Sequence, residues 1–451
     1  MKKSLVALAV LAATGAYAQS SVTLYGIVEA TTDIGYSRNI DTRTTVNDFN
    51  AGGVSTGTAL IPTTVRQRNS WRIQDGNDQG TGTSRVGFRG TEDLGGGLKA
   101  NFVLEMGLRI DDGCTTLGSA AACANGGGSG ESGGATFGRN AWGGLSGEFG
   151  EVRLGRQVLG SFGVQANSWA AGSSNGLYDA GSGLGILMGG VRFSNAIRYM
   201  SPNLGGFRGS LMLSAPETGV NVITSSAPVN NSAGRRVGVD LALEYANGPA
   251  YVGFGYNRRD IGNITSLTTG VSTVNVAPGT VNGYTLGGAY DFGVVKPFIN
   301  YTRQTTGISG STGAPVGFVS GSNASNANGR ALSIGLRAPV GAFTVIAGIG
   351  RAITDTNSSS VATTIGNVST FTTTTQADRR DAFQLGAQYA LSKRTLVEAN
   401  YGYNKLRTNS RAVVTTNGVP FLPGGAGGRQ ERSIDANDRV SALNIGLKHS
   451  F

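Results

Sequence analysis

Histidine occurs once in the 451 residues, as His449, and cysteine twice. A Ser-His-acid site needs a base within reach of its nucleophile in a pocket, and one histidine beside the C-terminus does not supply it. The chain also lacks a Walker-type glycine loop and a cluster of metal-ligand residues, so neither catalysis, a cofactor nor a metal is expected. Charged residues make up only 14%. After the N-terminus no run approaches the roughly twenty apolar residues that a membrane-crossing helix requires. That excludes a helical membrane protein, but not one that crosses with strands, whose alternating residues average out in a hydropathy scan. The net charge of +10 could suggest nucleic-acid binding. Export signals and alternating strands argue against that partner.

Glycine, by contrast, is abundant at 73 residues, and the polar balance rests on Ser, Thr and Asn, a composition suited to strands and loops. Ser84–Ile110 shows the pattern most clearly. Leu98, Ala100, Phe102, Leu104, Met106, Leu108 and Ile110 take the even positions, while Lys99, Asn101, Glu105 and Arg109 fall on odd ones. Val86 and Phe88 alternate in the same way with Arg85, Gly87 and Arg89. A period of two makes each run a strand with one apolar and one polar face, and the Gly-rich turn at Glu92–Gly97 joins them as a hairpin. Strands of about ten residues, apolar on one side and wet on the other, suit a barrel in a membrane.

Sixteen such runs are read, from Val22–Tyr36 to Val440–Phe451, an even number whose ends can pair. Their connections alternate between short (Ser146–Gly150, Pro202–Gly206, Phe292-Gly293) and long (Ser37–Thr83, Val158–Gly190, Ala352–Arg380, Thr408–Arg439). Short periplasmic turns and long outer loops have this arrangement in outer-membrane barrels. Lys2, Lys3, the apolar run Leu5–Ala13 and Ala16-Tyr17-Ala18 read as a secretory signal peptide over residues 1–18, leaving residues 19–451 as one barrel domain. Removing Lys2 and Lys3 takes the net charge from +10 to +8. In an exported chain Cys114 and Cys123 read as one local disulfide, and no His, Asp or Glu lies between them to favour a metal.

Several segments together resemble the general porins of Gram-negative outer membranes, of beta-proteobacterial type. They are SSVTLYG at Ser20–Gly26, SRVGFRGTEDLGGGLKA at Ser84–Ala100, FGRNAWGGLSGEFGEVRLGRQ at Phe137–Gln157, NAIRYMSPNLGGF at Asn195–Phe207, YALSKR at Tyr389–Arg394 and GLKHSF at Gly446–Phe451. The resemblance spans nearly the whole chain. It implies a 16-stranded antiparallel transmembrane β-barrel with an inward-folded third loop, a homotrimer, and passive diffusion of small hydrophilic solutes and ions. It also implies outer-membrane lipid and lipopolysaccharide as surroundings, and Phe451 as the signal read by the barrel assembly machinery.

In that family the third loop narrows the lumen opposite wall arginines. Here the loop is Val158–Gly190, with Asp179 its sole carboxylate, and the matching arginines are Arg85, Arg156 and Arg192. Alternation beside Val86 and Val191 also puts Arg85 and Arg192 on the polar face. Arg156 needs a break at Gly155 to turn inward, which keeps Arg139 and Arg153 as second choices. Unbalanced guanidinium groups then favour anions mildly. Trp71, Trp142, Tyr245, Tyr251 and Tyr401 are expected in membrane girdles, and Trp169 is expected to pack the third loop. A solute-specific channel, or an adhesin or receptor working through the long Thr/Ser/Asn loops, is the alternative.

Overall fold

Alternating side chains close one ring of strands. The structure, a computed structural model, describes residues 21–49, 55–74, 84–110, 113, 136–169, 190–215, 237–261, 265–268, 272–275, 279–312, 321–365, 368–417 and 428–451. Strands β1 (Ser21–Phe49), β2 (Ser55–Gln74), β3 (Arg85–Gly95), β4 (Leu98–Gly107), β5 (Asn140–Gly147) and β6 (Gly150–Val158) precede one short helix, α1 (Gly160–Asn167). Then come β7 (Arg192–Met200), β8 (Phe207–Ser214), β9 (Gly238–Asn247), β10 (Ala250–Ile261), a small separate hairpin β11 (Thr265–Thr268) and β12 (Ser272–Asn275), and β13 (Gly279–Tyr290). The chain finishes with β14 (Lys296–Thr312), β15 (Gly321–Val340), β16 (Phe343–Ile365), β17 (Val368–Ala390), β18 (Thr395–Asn417) and β19 (Gly428–Ser450).

One edge of β1 pairs with β19 from Ile27 upward. Its other edge pairs with β3 over Ser21–Ile27 and with β2 over Thr31–Phe49. β2 and β3 therefore share one place in the ring, and among the described residues sixteen places close it, all antiparallel. Closure leaves no seam to aggregate. The last residue locks it, because Gly26 and Phe451 each donate a backbone hydrogen bond to the other at 3.1 Å.

The packing is inverted relative to a soluble protein. On β19 Leu443, Ile445 and Leu447 face outward while Asn444 is 0% exposed, and on β6 Leu154 is 61% exposed. Leu211, Leu243, Leu286, Ile299, Leu332, Ile349 and Leu385 continue the outer band, while Glu29, Asp33, Asp240, Asn300 and Asn400 line the inside. An outer surface this apolar is stable only in hydrocarbon.

Three of the expected long connections are largely strand. Ser37–Thr83 contains the upper β1–β2 hairpin, Ala352–Arg380 runs up β16 and down β17, and Thr408–Arg439 extends β18 and β19. These stretches are polar on both faces, so they carry no apolar alternation to announce them. Residues 1–18, read as a signal peptide, lie outside the described residues.

Candidate functional site on the inner wall

On the β1–β3–β4 wall, alternation brings four polar side chains to one carboxylate. Glu105 accepts hydrogen bonds from Arg139 Nε at 2.8 Å, Tyr25 Oη at 3.0 Å and Asn140 Nδ2 at 3.2 Å, with Arg85 Nε at 3.7 Å. Register explains the convergence. Tyr25 lies opposite Gly87, which lies opposite Glu105. Gly87 leaves the rung open for the phenol to cross, since a Cβ there would stand 2.7 Å from Tyr25 Cζ. Arg89, exposed on the same inner face, lies 5.3 Å from the Tyr25 ring centroid.

Farther round, Arg153 stacks on the Trp142 ring at 4.0 Å and pairs with Glu151 at 2.8 Å. Trp142 is thus an inner-wall residue and not a girdle residue, because its neighbours Ala141 and Gly143 share the outward parity of Leu145. Tyr251 departs from the girdle reading for the same reason, donating its hydroxyl hydrogen bond inward to Glu244 at 2.7 Å. Tyr245 and Tyr401 do face outward. The Trp71 side chain lies outside the described residues.

The start of the β6–β7 connection packs against the inner wall. The buried Asp240 carboxylate accepts the backbone N–H groups of Gly160 (2.7 Å) and Ser161 (3.2 Å) and the Ser161 hydroxyl. A carboxylate here also complements the positive end of the helix. Asn257 Nδ2 donates to Ser161 Oγ at 3.0 Å, and Asn300 Nδ2 to Ser168 Oγ at 2.7 Å. Gly255 and Gly287 admit the close approach, since a Cβ at either would collide with Ser161 or Ser168. Leu159, Phe162 and Trp169 bury their apolar surface against Phe193, Ala196 and Met212, so Trp169 packs the loop.

The expected arginines divide. Arg85 and Arg139 meet at Glu105. The β6–β7 register shifts between Gly155 and Gln157, and Gly155 has φ +127°. Arg156 follows this break, and its guanidinium donates to Gly138 O and, at 2.7 Å, to Ser194 Oγ. Val191 and Phe193 both pack on the inner apolar cluster. Alternation therefore turns Arg192 to the other side of β7, contrary to the expectation that Val191 faces outward. Asp179, Cys114 and Cys123 lie outside the described residues. Tyr25, Glu105 and Asp240 were not singled out from the sequence. Their parity was legible, but their neighbours depend on register.

A family model described as Gram-negative porin matches residues 4–409. An outer membrane porin protein of Bordetella pertussis is 30% identical over 438 residues, covering 90% of this chain and 94% of that one. Outer membrane porin protein 32 of Delftia acidovorans is 29% identical over 454 residues, covering 100% of both. Among solved structures, a loop-deletion mutant of OmpT, an outer membrane protein of Vibrio cholerae, aligns over 96% of this chain and 99% of its own. Its TM-score is 0.52 at 15% identity, a likeness of fold.

Proposed function

This chain belongs to the Gram-negative porin family and forms a channel in the outer membrane, and from that premise we propose that it favours small hydrophilic anions. The observation that carries the reading is stoichiometric: Arg85 and Arg139 share the single carboxylate of Glu105. One unit of positive charge is left over there. Guanidinium groups stay ionised at any relevant pH. A low-dielectric wall focuses their field into the lumen, and selection follows from width and fixed charge at the narrowest point.

Arg156 and Arg153 extend the basic wall, and Asp179 is the proposed acidic counterpart on the third loop. The proposed assembly is a homotrimer set in outer-membrane lipid and lipopolysaccharide. Phe451, whose ring covers Gly26 on the outer face, is the proposed mark for the barrel assembly machinery, and Cys114–Cys123 the proposed disulfide.

The test is the reversal potential of detergent-purified, unheated protein in a planar bilayer under a salt gradient. Ohmic steps in multiples of three, with an anion-side potential that shrinks in Arg85→Ser/Arg139→Ser, are expected. An anion preference untouched by that double substitution would remove the selectivity assignment, and absence of conductance from folded protein would remove the channel.

A further inference from the structure

The ring closes at the level of β3, but higher on β1 one strand has an edge to spare. β1 passes from β3 at Ile27 to β2 at Thr31. β4, next round the ring, stops at Gly107 on the rung of Arg85, below the first rung of β2. Among the described residues β2 therefore pairs with β1 alone, and its second edge meets no strand. From Thr58 to Arg68 every residue of β2 is exposed. An unused edge in a native sheet is normally short, covered or broken by proline. Pro62 is the only proline of β2, and it leaves Thr63–Gln74 as an unbroken row of main-chain donors and acceptors.

The two faces of that edge differ. Arg38 binds Asp438, which shares the inward parity of Asn444, and Gln67 lies opposite Arg38. Alternation from Gln67 puts Val65, Ile61 and Ala59 on the inner face and Arg68, Arg66 and Thr64 on the outer one. On β1 the inner face is covered, with Thr44 only 8% exposed, whereas Ile61 directly opposite is 52% exposed and Val65 50%. The apolar surface left open thus lies at the edge itself, where one more strand would cover it. Outside, Asp41 is already engaged by Thr64 Oγ1 at 3.3 Å and by Arg439 at 3.4 Å. Among the described residues no carboxylate lies within 4 Å of Arg66 or Arg68.

We propose that the free edge of β2 over Thr63–Gln74 binds an extended segment of another protein, in which apolar residues alternate with Asp or Glu, as an added strand. Main-chain hydrogen bonds hold such a strand, and its alternate side chains set specificity. Here the apolar residues would lie inward beside Val65 and the carboxylates outward beside Arg66 and Arg68. The same two cations repel a basic strand, so they select the partner as well as attract it. The inference takes only its direction from the outer-membrane reading: with the short turns periplasmic, β2 stands on the external side and the partner comes from there.

The test uses folded, unheated full-length protein in nonionic detergent and an end-blocked, fluorescein-labelled peptide, Glu-Val-Glu-Thr-Glu-Val-Glu-Thr-Glu, read by fluorescence anisotropy. Wild type is expected to bind it about tenfold more tightly than a scrambled peptide of the same composition, the ratio that two cross-strand charge pairs supply. A strand added to one edge uses only alternate N–H groups. N-methylation of either the Glu set or the Val/Thr set is therefore expected to abolish binding, while methylation of the other set leaves it. Arg66→Ser/Arg68→Ser is expected to remove the preference over the scrambled peptide, with single-channel conductance unchanged as the control for folding. Equal binding of the scrambled peptide, or binding that survives both methylations, would overturn strand addition. Undiminished preference in Arg66→Ser/Arg68→Ser, or a loss of binding in Arg85→Ser/Arg139→Ser, would overturn the location, the latter by placing the peptide in the lumen. Conductance without peptide is read separately, so failure of this edge and failure of the channel reading are distinguishable.

Discussion

The wall from β4 to β9 and the wall from β15 to β19 obey the same alternation yet end very differently. In the first, strands run 8 to 10 residues, and the chain leaving β6 turns inward as α1. In the second they run 20 to 23 residues. At about 3.3 Å per residue the longer ones reach about 75 Å, far more than the hydrocarbon requires even when tilted. The cause is local. Over Val158–Gly190 nine glycines interrupt the chain, whereas Ala352–Arg380 has only Gly366 among Thr, Ser and Val that favour strands. Once two antiparallel strands are paired, they zip onward until a breaker stops them. A glycine-rich connection cannot zip, and it becomes available to fill the interior.

That contrast can be broken most severely at Asp240. Asp240→Ala removes the acceptor of three hydrogen bonds to α1, and bonds to a charged group are worth about 1.5–3 kcal/mol each. The inward loop is expected to detach. Single-channel conductance and open-channel noise should both rise, and thermal unfolding should move to lower temperature. A trace indistinguishable from wild type would mean that α1 is held by its apolar contacts alone. Gly287→Val attacks the same dock by crowding Ser168, at an expected cost of about 1–3 kcal/mol, and noise analysis reads it too.

A smaller effect sharpens the electrostatic side. Glu105→Gln keeps the shape of the Tyr25–Arg85–Arg139 cluster but removes its carboxylate charge. Reversal potentials are expected to move further toward the anion side, opposite in sign to Arg85→Ser, with a loss of stability of about 1–3 kcal/mol. A shift toward cations would contradict the assigned charge balance. The smallest effect belongs to the long-stranded half. Replacing Ser358–Thr374 by Asn-Gly shortens the β16–β17 hairpin just above the Asn357–Thr375 rung. Conductance, anion preference and melting temperature are all expected to stay within a few per cent of wild type, because the excised rungs lie beyond the membrane and away from α1. If attachment to a surface is lost while conductance persists, the projecting hairpins carry a separate adhesive role.

Much of this was legible in the residues. The sixteen-strand ring, the outward parity of Leu443, Ile445 and Leu447, the inward parity of Arg85 and the need for a break before Arg156 all follow from a period of two. The upper halves of β16 to β19 were not legible, since a strand with water on both sides has no apolar face to display. Trp142 and Tyr251 were misplaced because aromatic residues suit either face of a barrel; their inward positions follow from the parity of Leu145 and Val252 beside them. Arg192 was misplaced because Val191 looks like a lipid-facing residue until the inner cluster around Phe162 and Met212 is known.

Sequence alone determined the alternation, the ring it implies and the glycine-rich point at which the chain leaves the wall, because these depend on neighbours one or two residues apart. Tertiary structure decided the rest. Glu105 collects Arg85, Arg139 and Tyr25, and Asp240 caps a helix eighty residues before it, only because strand pairing and the inward turn after β6 bring distant stretches of chain together. Alternation tells each side chain which face it occupies, and only pairing tells it whom it meets there.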